Sequence, residues 1–254
     1  LTDLQISYYF TKLLALNRDK SAMKKEYPTT VFEAFEGAGN KVFDTEKLQG
    51  QKIIEGKKVG DWIYYEEPQL GHIYALGADV AEGVGQDSST CCVWDFTPAK
   101  PKTVAIYKNN KIAPDIFAFE IKDGGYKYGS ALVAVERNNH GHTTIAKLKE
   151  IYPVACIYID DKDKMGWETN LVSKPKMMYD LNTAVNNDLV EILSKPLVSE
   201  MYRYDKEELN VRRFDDTSTQ HYDLLIAAAI GFQMKDERVR NTKVVQRKPA
   251  KALY

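Results

Sequence analysis

Residues 131–135, Ala-Leu-Val-Ala-Val, form an unbroken apolar run that ends at Glu136. Its length and its valines suit a strand, and apolar side chains at every position imply burial on both faces. Such a strand needs a layer of helices on each side of its sheet, which places the chain in the α/β class.

The neighbouring segments extend that reading. HIYALGADVA (72–81), STCCVWDF (89–96) and KTVAIYKNN (102–110) read as three consecutive strands, with turn signals at Pro98–Pro101 and at Asn109-Asn110. APDIFAFEIKDGGYKYG (113–129) reads as a helix ending near its double glycine, HTTIAKLKEIY (142–152) as a helix, and VACIYID (154–160) as another buried strand. KPKMMYDLNTAVNNDLV (174–190) suits a helix with Pro175 near its start, and STQHYDLLIAAAIGFQMK (218–235) a strongly apolar closing helix. Residues 192–216 suit a hairpin around YDKEELNVRRF. Upstream, DLQISYYFTKLLAL and EYPTTVFEAFEG predict two short helical stretches within residues 1–36, the second capped by Thr29 or Thr30. Residues 37–70 read as a connector holding one short strand, DWIYYEE. Three hairpin-joined strands followed by βα units predict a mixed central sheet with helices on both faces.

Bulk composition narrows the function. A net charge of −1 over 254 residues gives no whole-protein field for a polyanion, so any DNA contact must be local or shared with a partner. Three cysteines without a CxxC pair exclude a disulfide framework and make zinc a poor fit; they suit a reducing cytoplasm. Of these, Cys91 and Cys92 read as core residues on a strand. No apolar stretch has the length to span a membrane. The chain opens on Leu1 with no signal peptide, as a processed piece or an expression fragment would. GADVAEGVG lacks the dinucleotide spacing, and the acids of DVAEGVGQDSST miss the EF-hand positions. No Ser/His/Asp spacing suggests an acyl-transfer nucleophile.

The chemistry lies where apolar runs stop. Asp79 ends the first strand of the core, Glu136 ends the fourth, and Asp223 opens the closing helix. Singly, Asp79 fits a turn residue and Asp223 an ordinary helix N-terminus; Glu136 is harder to place, because an acid seldom ends a fully buried strand without a partner. In a mixed sheet the first and fourth strands can be neighbours with the closing helix across them, which would gather all three acids at one point. Buried carboxylates repel unless cations sit between them, and Mg²⁺ or Mn²⁺ takes oxygen ligands. Two such ions ~3.5–4 Å apart can clamp a phosphodiester and activate water. Glu82 and Asp87 would then be auxiliary acids on a loop that Gly83 and Gly85 let turn tightly. His140 and His142 suit either a helix cap or a metal or phosphate contact.

GADVAEGVGQDSS, VAVERNNHGH, GWETN followed by KPKMMYDL, and HYDLLIAAAIG resemble, in that order, the C-terminal nuclease domain of tailed-phage terminase large subunits. KKEYPTTVFEAFEGAGNKVFD resembles the stretch that closes the preceding ATPase region of that family. The resemblance implies a ribonuclease H-like fold and a metal-dependent endonuclease, with two ions, that cuts concatemeric viral double-stranded DNA during packaging. It maps the catalytic, metal-binding acids onto Asp79, Glu136 and Asp223. The family often carries a second acid before the third; Tyr222 stands there in this chain. It also implies a division into residues 1–68 (end of the ATPase region and linker), 69–240 (nuclease) and 241–254 (basic tail). Partners would be the ATPase half, the portal and the small terminase subunit, in the host cytoplasm and without a membrane. No G-x-x-x-x-G-K-[ST] loop is present, so ATP hydrolysis is not expected of this chain.

Arg137, His140, Lys174, Lys176, Arg212 and Arg213, with Arg247 and Lys248 of the tail, are the candidate DNA contacts; each alone is also an ordinary surface charge. Two other readings stay open: another ribonuclease H-like nuclease of the resolvase or transposase type, and a non-catalytic docking domain of a packaging motor with structural acids.

Overall fold

The computed structural model describes residues 2–18, 23, 26, 27, 41–85, 87–209 and 221–245. Residues 28–37 of the second N-terminal helical stretch, Arg212, Arg213, Arg247 and Lys248 lie outside them. Helix α1 (Asp3–Ala15) opens the described chain through a capping box: Thr2 Oγ1 accepts the Gln5 N–H while Gln5 Oε1 accepts the Thr2 N–H. The stretch read as a connector holds more than one strand. It carries a short helix α2 (Thr45–Gln49) capped by Asp44, then β1 (Lys57–Val59) and β2 (Trp62–Tyr64). Those two strands form one edge of the central sheet.

The core follows as β3 (Tyr74–Asp79), β4 (Ser89–Asp95), β5 (Lys102–Asn109), α3 (Pro114–Lys127), β6 (Leu132–Val135) and α4 (Gly141–Ile151). Helices α5 (Ser173–Asn186), α6 (Lys195–Arg203) and α7 (Asp223–Val245) complete it. The six strands order as β1-β2-β5-β4-β3-β6, and β3 and β6 are the parallel pair. Every residue of β3, β4 and β6 is buried; the unbroken apolar run of β6 requires it, whereas β3 and β4 also bury Asp79, Ser89, Thr90 and Asp95. The pleat divides β3 between two cores. Ala75 faces the layer of α5, α6 and α7, whereas Leu76 and Ala78 face that of α3 and α4. The mixed sheet with helices on both faces is the predicted class, and the first and fourth core strands are neighbours.

Three local expectations are corrected. Helix α3 runs through its double glycine. A Cβ on Gly124 would stand 2.4 Å from Trp62 Cη2 and one on Gly125 2.6 Å from the Tyr152 hydroxyl, so these glycines admit aromatic rings. The stop comes at Gly129 and Ser130, both at positive φ. The segment 154–160 is no strand: Val154–Cys156 is one turn of 3₁₀ helix after Pro153, and Ile157 makes only an isolated bridge to Val133. Val154 and Ile159 are exposed, which periodicity alone could not show. The expected hairpin at 192–216 is, over its described part, helix α6 and a 3₁₀ turn at Lys206–Leu209. Ser194 caps α6 by accepting the Leu197 N–H, and Pro196 stands in its first turn.

Candidate active site

Asp79 is the last residue of β3, in register with Thr90 at the start of β4. The Thr90 hydroxyl donates to the Asp223 carbonyl at 2.8 Å, and the Ser88 N–H donates to Asp223 Oδ2 at 2.9 Å. One residue of β4 thus lies beside Asp79 and ties down the first turn of α7. Asp79 and Asp223, 1% and 4% exposed, line one cavity of about 200 Å³, walled also by Ala81–Val84, Asp87, Ser88 and the turn Asn138–His140.

Glu136 is just as deeply buried, at 2%, and lies immediately past β6. Its N–H donates to Ala78 O at 2.8 Å, which continues the parallel ladder next to Asp79. Its carboxylate accepts from Asn138 Nδ2 at 2.9 Å, and Asn138 rather than Glu136 faces the cavity. Among the described residues, no three His, Cys, Asp or Glu side chains already close on one point. The donor set nevertheless fits a hard divalent cation: two buried aspartates on the cavity, a third acid one side chain behind, and a wall of oxygens. An octahedral ion that keeps several waters needs no closed protein cage.

The loop acids differ in setting. Glu82 and Asp87 are both exposed at the mouth, and Asp87 pairs with His221 Nδ1 just ahead of α7. Gly83 sits at φ +85°, and a Cβ there would stand 2.4 Å from Ile112 O, so both conformation and space demand glycine. The basic residues are dispersed. His140 lines the cavity and makes no side-chain cap. The Arg137 guanidinium is turned inward, bonding Asp160 at 2.8 Å and Glu168 at 3.1 Å and donating to the carbonyls of Met165 and Gly166. Burial pushes Asp160 up, but the Lys164 N–H, Arg137 and the Lys162 N–H outweigh it and hold the carboxyl below its ordinary value. Lys174 and Lys176 sit in the first turn of α5, away from the cavity walls, with Lys176 reaching Asp180 at 3.4 Å. Tyr222 is buried against Tyr204, and its hydroxyl donates to the Arg203 carbonyl. Cys91 and Cys92 are core residues whose thiols burial pushes well up, so they stay protonated.

A sequence profile of the terminase RNaseH-like domain matches residues 76–235. The chain belongs to that family. No curated protein matches it. The large terminase nuclease of thermophilic phage G20c with bound magnesium superposes with a TM-score of 0.60 at 18% identity, over 77% of this chain and 98% of that one. The same nuclease with bound cobalt gives 0.60 at 19% over 77% and 98%. The Thermus phage P74-26 large terminase nuclease domain gives 0.56 at 18% over 77% and 95%. At these identities the likeness is one of fold: the RNaseH-like sheet and its two helical layers.

The terminase domain also uses residues that sequence reasoning passed over. Glu200 of α6, 2% exposed, accepts the Leu225 N–H at 3.0 Å and so caps α7 from outside, while Lys108 of β5 reaches its other oxygen at 2.9 Å. Burial raises the Glu200 carboxyl above its ordinary value, and Lys108 opposes that rise. Lys108→Met leaves a buried carboxylate without its cation. We expect a loss of about 3 kcal/mol at neutral pH, the low end for a broken buried pair because Lys108 is 41% exposed. In the variant, folding holds a proton on Glu200 that the unfolded chain has released above the usual carboxylate range. The loss therefore vanishes at low pH, where Glu200 is protonated in both proteins, and grows as pH rises above the raised wild-type value. Urea melts of both proteins at several pH values measure it; a pH-independent difference would contradict the assignment.

Proposed function

We propose that the chain is a metal-dependent DNA endonuclease that hydrolyses phosphodiesters of double-stranded viral DNA during packaging. The observation that carries this reading is the shared cavity of Asp79 and Asp223, with Glu136 held directly behind it. The metal-bound relatives named above support a divalent ion, and the oxygen donor set favours Mg²⁺ or Mn²⁺. Such an ion supplies water activation and charge balance on the phosphoryl oxygens. Asp79 and Asp223 would hold it at the cavity wall, with Glu136 completing the set. Glu82 and Asp87 at the mouth would orient water or a second ion. Tyr222, turned into the core, contributes no carboxylate, so a second ion would rest on the remaining acids and solvent.

His140 on the cavity and Lys174 and Lys176 at the start of α5 are the proposed phosphate contacts; Arg137 would first have to leave Asp160 and Glu168. A net charge of −1 leaves the isolated chain with weak, salt-sensitive DNA binding and little sequence preference. The ATPase half, the portal and the small subunit would present DNA to it in the host cytoplasm.

Supercoiled plasmid incubated with the purified protein at low salt in Mn²⁺, Mg²⁺ or EDTA tests the reading. Relaxed and linear products that require metal, with fragment ends spread over many sites, are expected. No cleavage in any metal would shift the chain to a docking role.

A further inference from the structure

We propose that Asn138 is a positioning residue for Glu136: its side-chain amide holds that carboxylate beside the cavity lined by Asp79 and Asp223. The proposal rests on the metal-site reading of the three acids. Asn138 Nδ2 donates to Glu136 Oε2 at 2.9 Å and to the Val80 carbonyl at 2.9 Å, and Asn138 Oδ1 accepts the Gly141 N–H at 2.7 Å. Two acceptors face the nitrogen and one donor faces the oxygen, so the network fixes the amide's orientation.

A helix cap alone does not explain this arrangement. Ser, Thr or Asp would accept the Gly141 N–H equally well. Only an amide accepts there and also donates twice. One N–H offsets the burial of the Glu136 carboxylate, and the other grips the residue that follows Asp79. The side chain therefore couples the exits of β3 and β6, the two strands that deliver Asp79 and Glu136. The backbone is shaped to permit it. A Cβ on Gly141 would stand 1.9 Å from Glu136 O, so only glycine brings its N–H to Asn138 Oδ1 at this point. Glu136 is pinned along the main chain as well, through its N–H on Ala78 O and its bridge to Trp167. Its side-chain torsions are what the amide adds control over.

Asn138→Asp and Asn138→Ala separate the two roles. The aspartate keeps the acceptor for Gly141 but turns lone pairs on Glu136 Oε2 and Val80 O; the alanine removes every bond. Each is compared with the wild type and Asp79→Asn by thermal melting, Mn²⁺ titration calorimetry, and plasmid nicking at saturating Mn²⁺ per folded protein. We expect both Asn138 variants to nick about 10- to 100-fold more slowly, the range for residues that orient metal ligands. The aspartate variant should melt closer to wild type than the alanine variant, and the alanine variant should bind Mn²⁺ at least about tenfold more weakly. Wild-type nicking by Asn138→Asp would reduce Asn138 to a cap and overturn the proposal, as would unaltered Mn²⁺ affinity and nicking in Asn138→Ala. A wild-type protein with no Asp79-dependent Mn²⁺ binding would instead overturn the metal-site reading, and the proposal with it.

Discussion

Asp79→Asn should abolish metal-dependent cleavage and leave the fold standing. The substitution keeps the shape of a side chain that is 1% exposed, and it retains one oxygen acceptor at the end of β3. It removes one of the two buried carboxylates on the cavity wall. Residues that merely orient metal ligands are worth about 10- to 100-fold, so a direct ligand should cost more than about 100-fold in nicking rate. Stability should move the other way in EDTA. Asp79 and Asp223 face the same cavity, and removing one charge relieves their repulsion when no cation lies between them. The melting temperature of the variant in EDTA should equal or exceed that of the wild type, and the rise on adding Mn²⁺ should shrink. Plasmid nicking and paired melts with and without Mn²⁺ measure both effects. Wild-type cleavage with a full Mn²⁺ response would show that Asp79 is no ligand.

Gly77→Ala should be among the most damaging methyl groups that can be added to the described residues. A Cβ there would stand 2.1 Å from Ala227 O and 2.3 Å from Gly231 N, both main-chain atoms of α7. Neither neighbour is a side-chain end that can swing away, so the helix must lift from the sheet. Overpacking usually costs about 1–3 kcal/mol, and a backbone collision of this depth belongs at or above the top of that range. For a chain of this size that is on the order of 10 °C in melting temperature. Function should suffer separately. Gly77 lies two residues before Asp79, and α7 begins at Asp223, so shifting the helix moves one cavity acid against the other. A misplacement of about 1 Å is worth roughly 100-fold in rate. Gly231→Ala, whose Cβ would meet Trp94 Cδ1 at 2.9 Å and Gly77 N at 3.0 Å, should be milder in both respects. Melting temperatures and nicking rates in Mn²⁺ give the order directly; a Gly77→Ala protein with wild-type values would mean that α7 has slack the structure denies.

Where the sequence misled, a local pattern was read without its surroundings. The double glycine of α3 looked like a stop, yet it is a seat for Trp62 and Tyr152, whose rings arrive from β2 and from just past the end of α4. Residues 154–160 have the apolar content of a strand, but the sheet ends at β6 and only Ile157 bridges to it. Arg137 looked like a surface cation because nothing nearby in sequence pairs with it. Its partners, Asp160 and Glu168, are 23 and 31 residues away.

The sequence by itself determined the class, the first four core strands in chain order and where the acids fall along the chain; it left open which strands are neighbours. Those features rest on side-chain period and on the stopping points of apolar runs, which are local properties. The tertiary structure alone decided what holds the acids. Thr90 and Ser88 fasten Asp223 across more than 130 residues, and Glu200 caps α7 from another helix. Even Asn138, two residues from Glu136, also bonds Val80, just past the end of a different strand. Hydrogen bonds between distant segments leave no periodic trace in a sequence. They arise only once the sheet has set β3, β4 and β6 side by side and α7 has packed across them.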